Sequence, residues 1–148
     1  MLISGNGGND PDNESLKIIK SNQDFLAIPK IGVLAPIHAA NENNLIENLK
    51  QGVAMVKKEK TTFIYGHSSR LLGQAGEYDI IFINLNKLET GDGVKIRAKN
   101  KRKFYTVISK KIVAPKKLDV ELENKYGIFL ISCWPIGTDY RRLAVEIK

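Results

Sequence analysis

From Leu26 onward, short apolar runs alternate with turn-forming residues. Ala27-Ile28-Pro29-Lys30-Ile31-Gly32-Val33-Leu34-Ala35-Pro36-Ile37 is apolar but broken by two prolines, a pattern that excludes a helix and predicts an edge strand or bulged ribbon. Asn44 followed by Glu47 resembles a capping box, Leu45, Ile46 and Leu49 form one stripe, and Gly52 suits a C-terminal cap, so a short helix is expected over Asn44 to Lys50. Val53 to Val56 and Thr62 to Tyr65 read as strands around the charged turn Lys57-Lys58-Glu59-Lys60. Ser68 to Glu77 reads as a loop with one helical turn at Leu71-Leu72, and Ile80 to Leu85 as a buried strand or helix end. Beyond the turn Gly91-Asp92-Gly93, Val94 to Ala98 alternates with basic residues, and Asn100-Lys101-Arg102 turns the chain into Phe104 to Ile108. That hairpin has a basic wet face. Ile128 to Ser132 is an unbroken apolar run entering Cys133, and Leu143 to Ile147 forms a last strand. Six to eight short strands with one or two small helices imply an all-β barrel or rolled sheet.

A chain of 148 residues supports one sizeable core, so one site is expected. With 43% hydrophobic and 26% charged residues, the composition argues against disorder and fibrous repeats. No apolar run reaches the roughly 18 to 20 residues that span a bilayer. Residues 1–25, opening with a Gly, Asn and Asp-rich stretch, are expected to be a flexible tether or linker, and 26–148 the single folded domain. The net charge of +7 suits acidic surroundings such as nucleic acid, anionic headgroups or an acidic polymer, without choosing among them. One cysteine, Cys133, excludes an internal disulfide and a cysteine-based zinc cage.

Cys133 sits where a strongly apolar strand ends and the chain must turn. A cysteine nucleophile acts as thiolate and needs a partner for its proton. His67 leads, because it also follows a hydrophobic strand and Gly66 allows close approach; His38 is its rival. Acyl transfer further needs a donor where an oxyanion forms, and Arg141-Arg142 arrives on the next strand. Since successive side chains on a strand face opposite ways, only one of the two can face the cysteine. Each residue alone also fits a plain role: a buried thiol, a surface histidine, a solvated arginine pair. Lys95 to Lys111, with Phe104 and Tyr105 for stacking, supports an alternative as a small basic nucleic-acid-binding barrel. Glu77, Asp79, Asp119, Glu121 and Glu123 have cation-binding chemistry but read as solvated acids on a surface strand, and no metal is expected.

Taken together, Ile28-Pro29-Lys30-Ile31-Gly32-Val33-Leu34-Ala35-Pro36-Ile37, Tyr65-Gly66-His67-Ser68-Ser69, Leu130-Ile131-Ser132-Cys133-Trp134-Pro135-Ile136-Gly137-Thr138 and Arg142-Leu143-Ala144-Val145 resemble a sortase in order and spacing. The resemblance runs from about Ala27 to Lys148. It implies a closed β-barrel of about seven or eight strands, with Cys133 as nucleophile, His67 as the family histidine, Arg142 as the family arginine and Arg141 in reserve. Ser132, Ser68, Trp134 and Thr138 become candidate substrate contacts. The family's Thr-Leu-x-Thr-Cys is altered here, with Phe129 in the first Thr position and Ser132 in the second. Asp10-Pro11 is followed by Asp12, so the aromatic lid motif of pilin-polymerising members is unsupported. The Cys-Trp-Pro-x-Gly-Thr continuation is similar to sortases outside the housekeeping group without fixing a subclass.

The resemblance also implies a transpeptidase and endopeptidase chemistry. The thiolate, favoured by His67 and Arg142, would attack the Thr-Gly carbonyl of a signal like Leu-Pro-x-Thr-Gly in a surface protein. An amine of a wall precursor or a pilin lysine would then take the acyl group. No cofactor and no nucleic-acid partner are expected. The resemblance places the protein at the outer face of a bacterial cytoplasmic membrane, with this chain a trimmed form whose first residues replace or follow a membrane tether. A catalytically silent sortase-like domain that only holds peptides is the remaining alternative.

Overall fold

A computed structural model describes residues 17–18, 22–69, 78–122 and 126–148. The expected turn at Leu71-Leu72, Glu77, Glu123 and the Asp10-Pro11 segment lie outside the described residues. Eight strands run in chain order as β1 (Phe25–Ile28), β2 (Val33–Ala39), β3 (Val53–Lys57), β4 (Thr61–Tyr65), β5 (Gly93–Ala98), β6 (Lys101–Val113), β7 (Gly127–Trp134) and β8 (Arg141–Ile147). They close into a barrel in the order β1-β2-β3-β4-β7-β8-β6-β5, with β5 pairing back onto β1. Two α-helices with described bounds are packed outside, α1 (Leu45–Leu49) and α2 (Leu118–Leu122), and among the described residues Lys17 and Ile18 are also helical.

The two prolines fit this ribbon for different reasons. Pro29 opens a 3-10 turn, Pro29–Ile31, where a missing N–H costs nothing. Pro36 sits where β2 changes partner: Val33 to Pro36 pair with β1, whereas Ile37 to Ala39 pair in parallel with β3. Its absent donor falls at that handover. The ribbon is therefore two interior strands, not an edge, because closure leaves none among the described strands. Gly52 does not cap α1, whose last turn ends at Lys50; it lies against Pro36, where a Cβ would collide with the proline's carbonyl oxygen. The capping box also fails to form. Asn44 makes no side-chain bond into α1, and the Asn41 side chain accepts instead from the Asn43 and Asn44 N–H groups at 2.8 and 3.3 Å.

Other boundaries moved for identifiable reasons. The β5–β6 turn is tighter than expected, with Lys99 and Asn100 both at positive φ (54° and 66°), and β6 extends for 13 residues because it pairs first with β5 and then with β8. Ile80 to Leu85 forms consecutive turns leading into a 3-10 turn, Leu85–Lys87, that pushes Phe82, Leu85 and Leu88 into the barrel. Leu118 to Leu122 alternates like a strand yet is helical. In a helix Leu118 and Leu122 share a face four residues apart, and both are buried, while Val120 is 73% exposed.

Two apolar clusters result. One fills the barrel, from Leu26 and Ile28 through Ile64 and Leu130 to Val145 and Ile147. The other lies between the outer face of β4, β7 and β8 and the helix α2, and contains Phe63, Phe129, Ile131, Ala144, Leu118 and Leu122. Phe129 stands in this second cluster with its ring 6.1 Å from that of Phe63. Strand alternation therefore sends odd-numbered residues of β7 toward α2 and even-numbered ones into the barrel.

Candidate active site

β4 and β7 run in parallel with Tyr65 opposite Ile131, and the Gly66 N–H donates to the Ile131 carbonyl oxygen at 3.0 Å. His67 and Cys133 therefore stand at equivalent positions, two residues beyond that pair, at neighbouring strand ends. β7 and β8 form a hairpin in which Cys133 is opposite Arg142 and Trp134 opposite Arg141. Paired residues on adjacent strands share a face, so Arg142 stands on the cysteine side and Arg141, exposed, on the other.

All three side chains line one cavity of about 400 Å³ outside the barrel. Leu45, Ile46 and Leu49 of α1 form one wall, Pro115, Leu118 and Asp119 another, and Tyr65 and Ile131 the floor. Glu42 and Lys58, paired at 2.8 Å, also line it. Ile46 remains 70% exposed, giving the mouth an apolar lip.

Two packing features hold His67. Phe82 donates its N–H to the His67 carbonyl oxygen at 2.8 Å, and its ring lies against Gly66 so closely that a Cβ there would be 2.6 Å from Cδ2. Only glycine admits that ring. The His67 Nε2 is buried with no hydrogen-bond partner among the described residues. Burial lowers the His67 pKa, an effect opposed by the nearby Asp79 carboxylate. Burial likewise raises the Cys133 pKa, against the Arg142 guanidinium, which favours thiolate, and with a smaller push upward from Asp139. The expected pull of Arg142 toward thiolate is present, and burial of the sulfur opposes it. Desolvation is the larger influence on both groups, pushing the thiol up and the imidazole down.

The Arg142 guanidinium donates through one nitrogen to the carbonyl oxygens of Asp139 and Arg141, both at 3.1 Å. Those bonds anchor it to the β7–β8 loop and leave further N–H groups of its fork unused among the described residues. Ser132, 3% exposed, is the one candidate substrate contact among the residues that line the cavity, and its even position on β7 turns its side chain toward the barrel. Ser68 is buried and donates its hydroxyl to the Cys133 carbonyl oxygen at 3.0 Å. Thr138 donates to the Pro135 carbonyl oxygen at 2.8 Å, closing the turn after β7, and Trp134 packs against the barrel interior. These three frame the strand end and do not line the cavity. His38 is elsewhere, donating to the Gln51 carbonyl oxygen at 3.2 Å.

The acids noted for cation binding disperse. Asp119 faces the cavity, Glu121 pairs with Lys111 at 3.2 Å, and no cluster of three metal-ligating side chains occurs among the described residues. Sequence reasoning missed the second wall, because the strand-like alternation concealed α2. It also missed Tyr65, whose hydroxyl pKa is pushed up to about 12 by burial and the Asp119 charge, against the pull of Arg142. Its signal was its parity with Phe63 on β4.

A closed barrel with a thiol, an imidazole and a guanidinium on adjoining strand ends is the architecture of the sortases. Sortase C-1 from Actinomyces oris superposes with a TM-score of 0.68 at 22% identity, covering 95% of this chain and 82% of that one. Sortase C1 from Streptococcus agalactiae gives 0.67 at 25% identity, over 86% and 66% of the two chains. Sortase A from Corynebacterium diphtheriae gives 0.66 at 24%, over 84% and 59%. No curated protein matches the sequence. The family model for the Sortase domain matches residues 26–148, and the chain belongs to that family, whose members are generally cysteine transpeptidases of the cell envelope. No helix of the described residues is long and apolar enough to cross a membrane.

Proposed function

We propose that the protein is a cysteine transpeptidase that cleaves a sorting signal resembling Leu-Pro-x-Thr-Gly between Thr and Gly. The acyl group passes to an amine of a wall precursor or a pilin lysine. The observation that carries this reading is the register: Tyr65 opposite Ile131 and Cys133 opposite Arg142 bring His67, Cys133 and Arg142 to one cavity wall. The apolar lip at Ile46 and the walls from Leu45, Leu49 and Leu118 suit the apolar part of such a signal.

The chemistry starts from a neutral thiol and a neutral imidazole, the forms that burial favours. His67 takes the Cys133 proton as the sulfur attacks the Thr carbonyl carbon, and the carbonyl oxygen becomes an oxyanion beside the Arg142 guanidinium. The imidazolium then returns the proton to the glycine nitrogen as the C–N bond breaks, leaving a thioester on Cys133. An incoming amine loses its proton to His67, attacks the thioester and frees the thiol.

The test is to incubate the protein with sorting peptides and an amine, and to look by mass spectrometry for an acyl adduct on Cys133. The expected result is an adduct with loss of the peptide beyond Thr, and none with Cys133→Ala. Unchanged cleavage by Cys133→Ala overturns the reading. A wild-type protein that binds peptide without forming an adduct supports the silent, peptide-holding alternative.

A further inference from the structure

A second hollow, of about 390 Å³, opens at the other end of β4 and β7. Thr62 and Ile128 line it, five residues before His67 and Cys133 on the same strands and so about 17 Å away along them. It shares no lining residue with the cavity around Cys133. Its floor is apolar: Met55, Ile96, Ala98, Tyr105 and Ile128 all belong to or pack against the barrel core. Its rim is basic.

Lys57 comes from β3, Lys99 from the β5–β6 turn, and Lys101 and Lys103 from β6, with side chains on the inner face of that strand. All four are exposed, and among the described residues no ion pair holds any of them and no acidic residue lines the hollow. Converging four unpaired ammonium groups on one opening costs mutual repulsion that a bound anion relieves. The same end carries Tyr126, 80% exposed, with the Lys60 ammonium 5.4 Å from its ring centre. A lysine rim beside an exposed tyrosine, over an apolar floor, is the combination that suits a membrane–water interface, where ammonium groups meet phosphates and rings meet the acyl boundary.

We propose that this end of the barrel is a docking surface for the anionic headgroups of a phospholipid membrane. Lys57, Lys99, Lys101 and Lys103 contact phosphates, and Tyr126 lies at the headgroup level. A free phosphate polymer would satisfy the lysines but leaves the apolar floor without a counterpart. The surface is independent of the transpeptidase chemistry, and Cys133→Ala is expected to bind membranes as the wild type does.

The test is co-sedimentation with phosphatidylcholine vesicles with and without phosphatidylglycerol, at low and high salt. The wild type is expected to bind only vesicles containing phosphatidylglycerol, and less as salt rises. Lys99→Glu, Lys101→Glu and Lys103→Glu combined should weaken this binding by at least about a hundredfold, since each surface lysine contributes about a fivefold factor. A variant of equal net charge altered elsewhere, Lys87→Glu, Lys116→Glu and Lys117→Glu, should retain binding within about threefold. Thermal melting of both variants verifies that they fold. Equal losses from the two triple variants, no vesicle binding by the wild type, or tighter binding to a single-stranded oligonucleotide than to the vesicles each overturn the proposal.

Discussion

The hydroxyl of Ser68 donates to the carbonyl oxygen of Cys133 across 3.0 Å, tying the exit of β4 to the exit of β7. The bond lies behind the cavity and joins the residue after the histidine to the backbone of the cysteine. Ser68→Ala leaves a partly buried carbonyl without its partner, which costs about 1 kcal/mol. The melting temperature should fall by roughly 2 to 4 °C. Loosened placement of the sulfur should lower kcat/KM roughly tenfold, mostly through kcat. A variant with unchanged kcat and the same melting loss would assign Ser68 to stability alone.

Gly66 makes a sharper prediction. A methyl group there meets the Phe82 ring at 2.6 Å, so Gly66→Ala should cost about 1 to 3 kcal/mol and displace His67 with the ring. Phe82→Leu alone should also destabilise, by loss of buried ring area. Combined, the two changes should cost less than their sum, because the smaller side chain makes room for the new methyl. Denaturant unfolding of the four proteins measures the coupling directly, and strict additivity would refute the contact.

The pH profile follows from the two burial effects. His67 has its pKa below the ordinary 6.5 and Cys133 above the ordinary 9.0. The rate should be flat between these limits, falling on an acid limb below pH 6.5 and on an alkaline limb above pH 9.0. Alkylation of Cys133 by iodoacetamide should keep rising with pH through that alkaline limb. Labelling already maximal at neutral pH would instead indicate a preformed thiolate.

Stability carries the same signature. As pH drops below 6.5 the unfolded chain protonates His67 before the folded one does, so the histidine's contribution is fully present above that value and is lost as pH falls through the depressed folded value. His67→Gln should flatten this part of the stability curve. An unchanged acid slope in that variant would trace the dependence to other groups.

Arg142 and Arg141 should separate cleanly. Arg142→Ala should lower kcat by about 10² to 10³, the usual loss for an oxyanion donor. Arg142→Lys should recover only part, because an ammonium lacks the planar fork that holds the Asp139 and Arg141 carbonyls while presenting a donor to the cavity. Arg141→Ala should change the rate little, since that side chain stands opposite Trp134 on the other face. Comparable losses at both positions would reverse the assignment.

Much of this arrangement was legible in the residues themselves. Apolar runs ending at Tyr65 and Ser132 marked the strands, and alternation alone required that only one arginine face the cysteine; pairing then selected Arg142. What was not legible depended on partners distant in sequence. Whether Pro36 falls at an edge or at a handover between two partners is decided by β1 and β3 together. Leu118-Asp119-Val120-Glu121-Leu122 satisfies both a strand and a helix pattern, and the apolar face of β4, β7 and β8 chose the helix. The push of burial on the Cys133 thiol was hidden for the same reason: charges can be counted along a chain, but the water removed around a side chain cannot.

Because β5 pairs back onto β1, the barrel closes on itself, and β7 runs up to Cys133 between β4 and β8. Under the proposed function, a peptide at Cys133 meets a strand already flanked on both sides along most of its length, so strand addition is not its main source of affinity. Discrimination between guests then rests on side-chain fit against α1 and α2. Exchanging those two short helices, with the barrel left intact, is the economical way for such a scaffold to acquire a new cargo.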